Sequence, residues 1–338
     1  MPSSEEKNND QITEVKETRA DRKPQADPAL AIDPVRLARM HETTKRFHRK
    51  RRIKDWAMFT GYLTPSLVGV MVFFFLPLLM ILKTSFQRSS TNTDFVGIEN
   101  YERVLTNEAF INSAKNSLTF SGIAVPLSVV LALLLAILLN TKLPGESVFR
   151  SILLNPMMVP VASVVLIWQV FFSYNGMANG WGLYKLFEDG RIDWLKSDHS
   201  QLVILALFLW KNLGYNMVLF LAALNSIDQE ILEAATMDGA GSITRFFRIK
   251  MHFLAPTLFF VAIMSLINSF KIFREVYLLT GDHPYRNLYM LQHFMNNAFT
   301  NLDYSKLSAG AIIMCVFMIV IVGALFFAES KFDADMEG

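Results

Sequence analysis

Six apolar blocks of about twenty residues or more run along the chain, separated by polar stretches that carry charges and turn-forming residues. They lie at residues 57–83, 118–141, 152–174, 201–224, 253–273 and 307–328. A helix of about twenty apolar residues crosses the hydrocarbon of a bilayer, whereas a soluble domain disperses its apolar residues with a period of 2 or 3.6. The pattern therefore predicts an all-α, polytopic membrane protein with six transmembrane helices.

Prolines interrupt the first three blocks, at positions 65, 77, 126, 156 and 160. Each proline frees a backbone carbonyl that lipid cannot satisfy, so a neighbouring helix or a polar cavity must do so. Such kinks suit a transporter better than a simple anchor, but they also occur in other membrane bundles and do not assign a class.

The N-terminal region is polar and divides into two parts. Residues 1–33 hold few apolar side chains and are predicted to be a disordered cytoplasmic tail. Residues 34–56 are predicted to form a basic amphipathic helix, with Asp33 as its N-cap and Pro34 at its first position. This helix either lies on an anionic leaflet or is a solvated basic segment that sets topology. Because no apolar signal segment precedes it, we expect the first span to direct insertion.

Charge orients the predicted spans. Residues 45–54 are rich in Lys and Arg and contain no acidic residue, which places the N-terminus in the cytoplasm by the positive-inside rule. Six spans return residues 329–338 to that side as a cytoplasmic tail, and the loop 225–252 is also cytoplasmic. The loops 84–117, 175–200 and 274–306 then face outward.

The sequence lacks the residues that several kinds of functional site need. The single cysteine, Cys315, lies inside an apolar block, so the sequence offers neither a disulfide framework nor a cysteine-based metal site. No Gly-x-x-x-x-Gly-Lys-Ser/Thr phosphate loop is present. The histidines in or beside the spans, His252, His283 and His293, are scattered and have no paired acidic motif. We therefore do not expect an enzyme.

The loop 225–252 has the pattern of a compact cytoplasmic knob. Ser226 and Gln229 have the spacing of a capping box at the start of a short helix. Gly239 is expected to end that helix in a left-handed turn, and a second helix restarts near Ser242. The small residues between these points would let another protein backbone approach closely.

This knob resembles the Glu-Ala-Ala loop of permease subunits of ABC importers. Glu233-Ala234-Ala235 and Gly239 match the pattern, and Ile249 follows Gly239 by ten residues. The family's Leu-Pro is replaced by Met251-His252, with Pro256 further on. An ordinary amphipathic connector would explain the charges of the loop but not this spacing.

The resemblance covers residues 57–328, which it identifies as a transmembrane permease domain of the type I ABC importer fold. It is greatest for the sugar branch, close to the larger permease subunit of maltose-type importers. The supporting stretches are Asn116-Ser117-Leu118, Phe149-Arg150, Trp168, Gly176-Met177-Ala178-Asn179, and residues 276–284, which are similar to a Leu-Thr-x-Gly-Gly-Pro loop.

The resemblance implies a set of partners in the plasma (inner) membrane of a prokaryote. They are a second permease subunit in a heterodimer, two ATPase subunits and an extracytoplasmic solute-binding protein, with lipid around the spans and no nucleic acid. ATP and magnesium would be bound by the ATPase partner, so no cofactor is expected on this chain. The residues implied to couple to the ATPase are Glu233, Ala234, Ala235, Asp238, Gly239 and Ala240.

Polar residues near the middle of the fourth and fifth spans are candidates for substrate binding. When the chain is aligned with the family through Glu-Ala-Ala, the resemblance places most of them at positions that line the sugar site of the maltose-type subunit. The candidates are Lys211, Asn212, Tyr215, Ser265, Asn268 and Ser269. A lysine inside a membrane costs a few kcal/mol unless it is paired or hydrated. Lys211 either binds sugar hydroxyls or a sugar carboxylate, or is held by neighbouring carbonyls or a hydrated cavity wall.

The function implied is the permease subunit of an ATP-driven importer for a sugar or oligosaccharide. One alternative keeps the transporter but changes the cargo to an amino acid, a peptide or a phosphonate. More remote alternatives are a membrane-embedded transferase and a structural membrane scaffold.

Overall fold

The computed structural model describes Trp56 and residues 58–89, 91–141, 145–187 and 190–337. Regular secondary structure in these ranges is helical, apart from an isolated antiparallel bridge between Gln87 and Phe95. The predicted tail 1–33 lies outside the described residues, as does the predicted basic helix 34–56 except for Trp56.

The helices follow the apolar blocks closely. The first, α1, is Met58–Ser85 and includes a π-helical segment at Met71–Phe75. The other α-helices in the described ranges are α2 Glu99–Leu105, α3 Glu108–Leu139, α4 Glu146–Met158, α5 Val161–Phe171, α6 Met177–Gly180, α7 Ser200–Asn225, α8 Gln229–Met237, α9 Ser242–Arg245, α10 Met251–Phe270, α11 Phe273–Thr280, α12 Leu291–Thr300 and α13 Tyr304–Glu337. Thus α13 continues through the segment predicted as a C-terminal tail.

Among the described residues, five helical runs are long and apolar enough to cross a membrane. They are Met58–Ser85, Glu108–Leu139, Ser200–Asn225, Ser242–Thr280 and Tyr304–Lys331. A sixth span is obtained when α4 and α5 are counted together. The all-α, multi-span class predicted from the apolar blocks is therefore what the chain adopts.

The third apolar block departs from a single helix. Helices α4 and α5 enclose an angle of 98° across a short break. The backbone of Val159 is extended, with φ −75° and ψ 133°, because the ring of Pro160 disfavours helical geometry in the residue before it. Pro156 and Pro126, by contrast, are accommodated inside helices. The position of one proline therefore decides where this span breaks.

The chain divides into two compact units after Pro77. The described residues of the first unit are the N-terminal part of α1, and none of them is buried. Tyr62 and Phe73 are 87% and 76% exposed. An apolar helix surface of this kind is suited to contact with lipid chains, which make no demand for polar partners.

Helix α7 is the centre of the second unit and packs against α3, α4 and α10. Its side chains Ile204, Leu207, Phe208 and Phe220 are fully buried. Gly214 allows α4 to approach closely, since a Cβ at this position would lie 1.9 Å from the carbonyl oxygen of Leu153. Small residues at helix contacts are how membrane helices bring their backbones together.

Buried hydrogen bonds tie α7 to its neighbours. The Asn216 Nδ2 donates to Ser128 Oγ on α3 and to Ser265 Oγ on α10, both at 2.9 Å. One turn away on α10, Ser269 Oγ donates to Ser121 Oγ at 2.7 Å. Polar groups inside a membrane must find protein partners, and these bonds also fix the relative rotation of the three helices.

The segment before α12 is anchored on α3. Asn116 Nδ2 donates to the carbonyl oxygens of Arg286 and Tyr289 at 2.8 and 3.0 Å. The backbone N–H of Leu291 donates to Ser117 Oγ at 2.9 Å. The Asn-Ser stretch noted in the sequence therefore holds a loop 170 residues away.

Candidate functional site

The knob between α7 and α10 begins at a different residue from the one predicted. Asp228 is the N-cap of α8, and its Oδ1 accepts the Glu230 N–H at 3.2 Å. The predicted capping box of Ser226 with Gln229 is wrong. Ser226 has helical backbone angles and its hydroxyl donates to the Ala223 carbonyl, whereas an N-cap needs the extended backbone that Asp228 has.

The end of α8 agrees with the sequence prediction. Gly239 has φ +82°, and its N–H donates to the Thr236 carbonyl at 3.0 Å. The Ala240 N–H donates to the Ala235 carbonyl, also at 3.0 Å. These two bonds form a Schellman motif, in which the left-handed residue is usually glycine because a Cβ is strained there.

The knob is exposed and is braced on the next helix. Arg245 on α9 donates to Thr236 Oγ1 at 2.5 Å, which joins the two sides of the turn. Glu233 and Asp238 are exposed, and Met237 and Ile243 are 89% and 76% exposed. The six predicted coupling residues thus lie together on one projecting element that presents acidic and apolar side chains.

A groove of about 470 Å³ lies beside the knob. Its lining consists of Ile137, Leu232, Ser242, Ile243, Arg245, Phe246, Phe247 and Lys250. Phe246–Lys250 is a π-helical segment that carries α9 into α10 without a break in the run Ser242–Thr280. The position where the family has Leu-Pro is therefore occupied here by Met251 at the start of regular α-helix.

A second candidate site is a cavity of about 490 Å³ formed by residues of α4, α7, α10 and α11. Its polar and charged lining consists of Lys211, Asn212, Tyr215, Asn268, Lys271, Arg274 and Glu275. Its apolar lining includes Met157, Phe208, Met264, Ile267 and Ile272. The cavity thus combines apolar walls with a few convergent polar groups, as ligand-binding cavities do.

Lys211 forms an ion pair with Glu275 in this cavity. The Glu275 side chain is 8% exposed and the Lys211 side chain 28%. Sequence reasoning missed Glu275, although the need of an intramembrane lysine for a counter-ion was a signal. The acid lies 64 residues further along the chain, just after the fifth apolar block, so only the tertiary contact between the two side chains identifies it.

The amides of the cavity form a short chain. Asn268 Nδ2 donates to Asn212 Oδ1 at 3.1 Å, and Asn212 Nδ2 donates to the Phe208 carbonyl at 2.8 Å. Tyr215 also lines the cavity and is partly exposed. Within the described part of the chain, these contacts orient the amides and leave the Asn268 oxygen available as an acceptor for a ligand.

Two of the predicted substrate residues are placed elsewhere. Ser265 and Ser269 are 1% and 2% exposed. The Ser265 hydroxyl accepts a hydrogen bond from Asn216, and the Ser269 hydroxyl donates one to Ser121. The structure therefore brings together Lys211, Asn212, Tyr215 and Asn268 at the cavity and puts both serines in the helix contacts behind it.

The aromatic residues Trp168 and Trp210 lie outside the cavity lining in the described structure. Trp168 stacks on Phe172, with ring centroids 5.1 Å apart, and Trp210 lies 6.3 Å from Trp168. Within the described part of the chain, no group of three or more His, Cys, Asp and Glu side chains is placed to hold a metal ion.

Residues 124–334 match the model of a family described as the binding-protein-dependent transport system inner membrane component. The chain belongs to this family. The resemblance to permease subunits of ABC importers is thereby confirmed, and the protein is an inner-membrane component of a transporter.

Relatives with sequences similar to this chain are named as permease proteins. The sn-glycerol-3-phosphate transport system permease protein UgpA of Agrobacterium fabrum is 31% identical over 276 residues, covering 79% of this chain and 93% of that protein. The trehalose/maltose transport system permease protein MalF of Thermococcus litoralis is 33% identical over 230 residues, covering 66% and 78%. The arabinooligosaccharides transport system permease protein AraP of Bacillus subtilis is 29% identical over 272 residues, covering 77% and 84%.

Two solved structures share the fold of this permease. One is a bacterial ABC transporter involved in the import of the acidic polysaccharide alginate, with a TM-score of 0.71, 20% identity, and 83% of this chain and 98% of that chain covered. The other is a bacterial alginate ABC transporter in complex with alginate pentasaccharide-bound periplasmic protein, with a TM-score of 0.72, 21% identity, and 84% and 97% covered. The predicted ABC importer permease fold is confirmed.

Proposed function

We propose that this chain is the transmembrane permease subunit of an ATP-driven importer for a sugar or oligosaccharide and forms half of the translocation pathway. The observation that carries the proposal is that one knob joins α7 and α10, two of the helices that line the polar cavity. Helix α7 ends at Asn225, three residues before Asp228, the N-cap of α8. Helix α10 follows α9 in one continuous helical run. A displacement of the knob acts directly on the cavity walls.

The knob couples to an ATPase partner, which binds ATP and magnesium. Glu233 makes an ion pair or a helix-end contact with that partner, while Ala234, Ala235 and Ala240 allow close approach. Gly239 and Asp238 keep the turn compact. The Arg245–Thr236 bond holds α8 to α9, and the Asn216–Ser265 bond holds α7 to α10, so the unit moves as one body between two states.

The transporter contains further subunits. A second permease subunit completes the pathway in a heterodimer, two ATPase subunits bind the knobs, and an extracytoplasmic solute-binding protein delivers the cargo. The family description and the periplasmic protein named with one of the solved structures support this assembly. The basic residues 45–54 support cytoplasmic termini and a multi-pass orientation in the plasma membrane of a prokaryote.

Sugar is the cargo class that the cavity and the relatives favour. Lys211, Asn212, Tyr215 and Asn268 contact the cargo, since their ammonium, amide and phenol groups can donate to or accept from hydroxyls. Ser265 and Ser269 position α10 rather than touch the cargo. The relatives named for trehalose/maltose and arabinooligosaccharides point to the same class.

Uptake by whole cells tests the function with the native partners in place. A strain in which this gene is deleted is expected to lose uptake of at least one labelled saccharide, and the wild-type chain is expected to restore it. Glu233→Trp should abolish that uptake, whereas Glu230→Ala, at the exposed start of the same helix, should not. Loss of amino-acid or peptide uptake with saccharide uptake intact would contradict the sugar assignment.

A further inference from the structure

The charges that line the cavity are unbalanced. Among the described residues, the lining carries three cations, Lys211, Lys271 and Arg274, and one anion, Glu275. The ion pair neutralises Lys211 and Glu275 against each other. Lys271 and Arg274 are exposed, and within the described part of the chain no ion pair involves either of them. The cavity therefore presents an excess of positive charge beside the spans.

The ion pair leaves Lys211 with binding capacity. An ammonium group has three N–H donors, and in the described structure Lys211 gives one of them to Glu275. Glu275 is nearly buried on α11, whereas more than a quarter of the Lys211 side chain is exposed. Glu275 thus fixes the position of the ammonium group, and its remaining donors are available to a ligand in the cavity.

We propose that the cargo is an anionic saccharide whose carboxylate or phosphate group is recognised by Lys211, Lys271 and Arg274; this rests on the proposed function. Two exposed cations that lack an anionic partner among the described residues attract an anionic cargo, whereas they do not attract a neutral one. A cleft lined by one sign of charge also raises the local concentration of the opposite ion. Asn212, Asn268 and Tyr215 then bind the hydroxyls of the same cargo.

The arrangement assigns a different role to each charged residue. Lys271 lies at the C-terminal end of α10 and Arg274 in the first turn of α11, so both are near the junction of these helices. Arg274 can bind a carboxylate or a phosphate through two parallel N–H donors. Lys271 and Arg274 attract the anion, and Lys211 binds it further along α7. Glu275 is a positioning residue for Lys211.

Whole-cell uptake with charged and neutral probes tests the charge of the cargo. The probes are trigalacturonate, trimannuronate, glucose 6-phosphate, maltotriose and fully methyl-esterified trigalacturonate. We expect gene-dependent uptake of at least one anionic probe, at least tenfold faster than that of the two neutral probes. Uptake of a uronate assigns the anion as a carboxylate, and uptake of glucose 6-phosphate assigns it as a phosphate.

Variants connect the charge preference to the cavity. The double variant Lys271→Gln/Arg274→Gln should lower uptake of the anionic probe at least tenfold at subsaturating concentration, because two of its three cations are lost. Lys185→Gln, which changes an exposed lysine on the turn Leu183–Leu186, is the matched control and should leave uptake unchanged. The membrane content of each variant is measured by immunoblot.

A charge swap tests whether Lys211 binds the anionic cargo or only neutralises the charge of Glu275. The variant Lys211→Glu/Glu275→Lys keeps an ion pair but moves the ammonium group to α11. We expect it to lose uptake of the anionic probe while remaining in the membrane. Normal uptake by the swapped chain, or by Lys271→Gln/Arg274→Gln, would overturn the proposal.

The two proposals fail in different ways. Gene-dependent uptake of maltotriose or of the methyl ester, without preference for an anion, overturns the anionic cargo and leaves the sugar importer intact. If uptake of none of the five probes depends on the gene, the anionic cargo is overturned. The sugar importer is overturned as well if no labelled saccharide requires the gene for its uptake.

Discussion

Lys211 donates a hydrogen bond to the carboxylate of Glu275 and so joins α7 to α11 beside the polar cavity. Because Glu275 is buried, the acid depends on this one cation within the described structure. The pair also explains how a lysine is tolerated in the middle of the fourth span, where an isolated charge would cost a few kcal/mol.

Loss of one partner of this pair should destabilise the fold strongly. Lys211→Met leaves the buried Glu275 charge without compensation, and we expect a loss of about 3–5 kcal/mol. Glu275→Gln in the same chain should recover much of that loss, because no unpaired charge remains. Thermal unfolding in detergent measures both variants. Equal midpoints for Lys211→Met and the double variant would show that the pair does not stabilise the protein.

The turn at Gly239 should be sensitive to any side chain. Gly239→Val places a β-branched residue at φ +82° and should abolish uptake, although a Cβ there meets no neighbouring atom. Gly239→Asn should retain part of the uptake, because asparagine tolerates the left-handed region. Gly241→Ala is the matched control, since Gly241 has φ −68° and open space around it. Uptake equal to wild type in Gly239→Val would exclude a role for the turn.

The contact between α4 and α7 should fail when Gly214 gains a methyl group. The added Cβ would lie 1.9 Å from the Leu153 carbonyl oxygen, so the helices must separate. We expect Gly214→Ala to lower the thermal midpoint and the membrane content of the chain. Gly122→Ala is the control: its Cβ meets nothing within 4 Å, and alanine stabilises a helix by up to about 1 kcal/mol relative to glycine. Similar midpoints for the two variants would contradict the close contact.

Acid should weaken the packing of α12 through His293. This side chain is 1% exposed, its Nδ1 accepts the Met290 N–H at 3.3 Å, and burial lowers its pKa from 6.5 to about 4. Because the unfolded chain binds the proton at higher pH than the folded one, stability is full above pH 6.5 and falls as the pH drops towards 4. The loss should reach up to about 3 kcal/mol.

The variant His293→Gln tests this assignment. Its thermal midpoint should change less than that of the wild type between pH 7.5 and pH 5, because the residue that takes up the proton is gone. An identical acid shift in both chains would place the titrating group elsewhere.

The sequence by itself determined the class, the positions of the apolar spans and the end of the knob. Apolar length is a local property of the chain, since a block of twenty residues crosses the bilayer whichever neighbours it has. The turn at Gly239 is local too, because it depends on the absence of a Cβ at one residue. For the same reason the Glu-Ala-Ala spacing was sufficient to identify the family.

Only the tertiary structure decided which polar groups meet. The pairing of Lys211 with Glu275, and the burial of Ser265 and Ser269 against other helices, depend on the rotation of α7, α10 and α11 about their axes. That rotation is set by many weak contacts at once, such as the approach of α4 at Gly214, and uniformly apolar spans carry little periodic signal for it. The N-cap at Asp228 was likewise decided by where α7 ends.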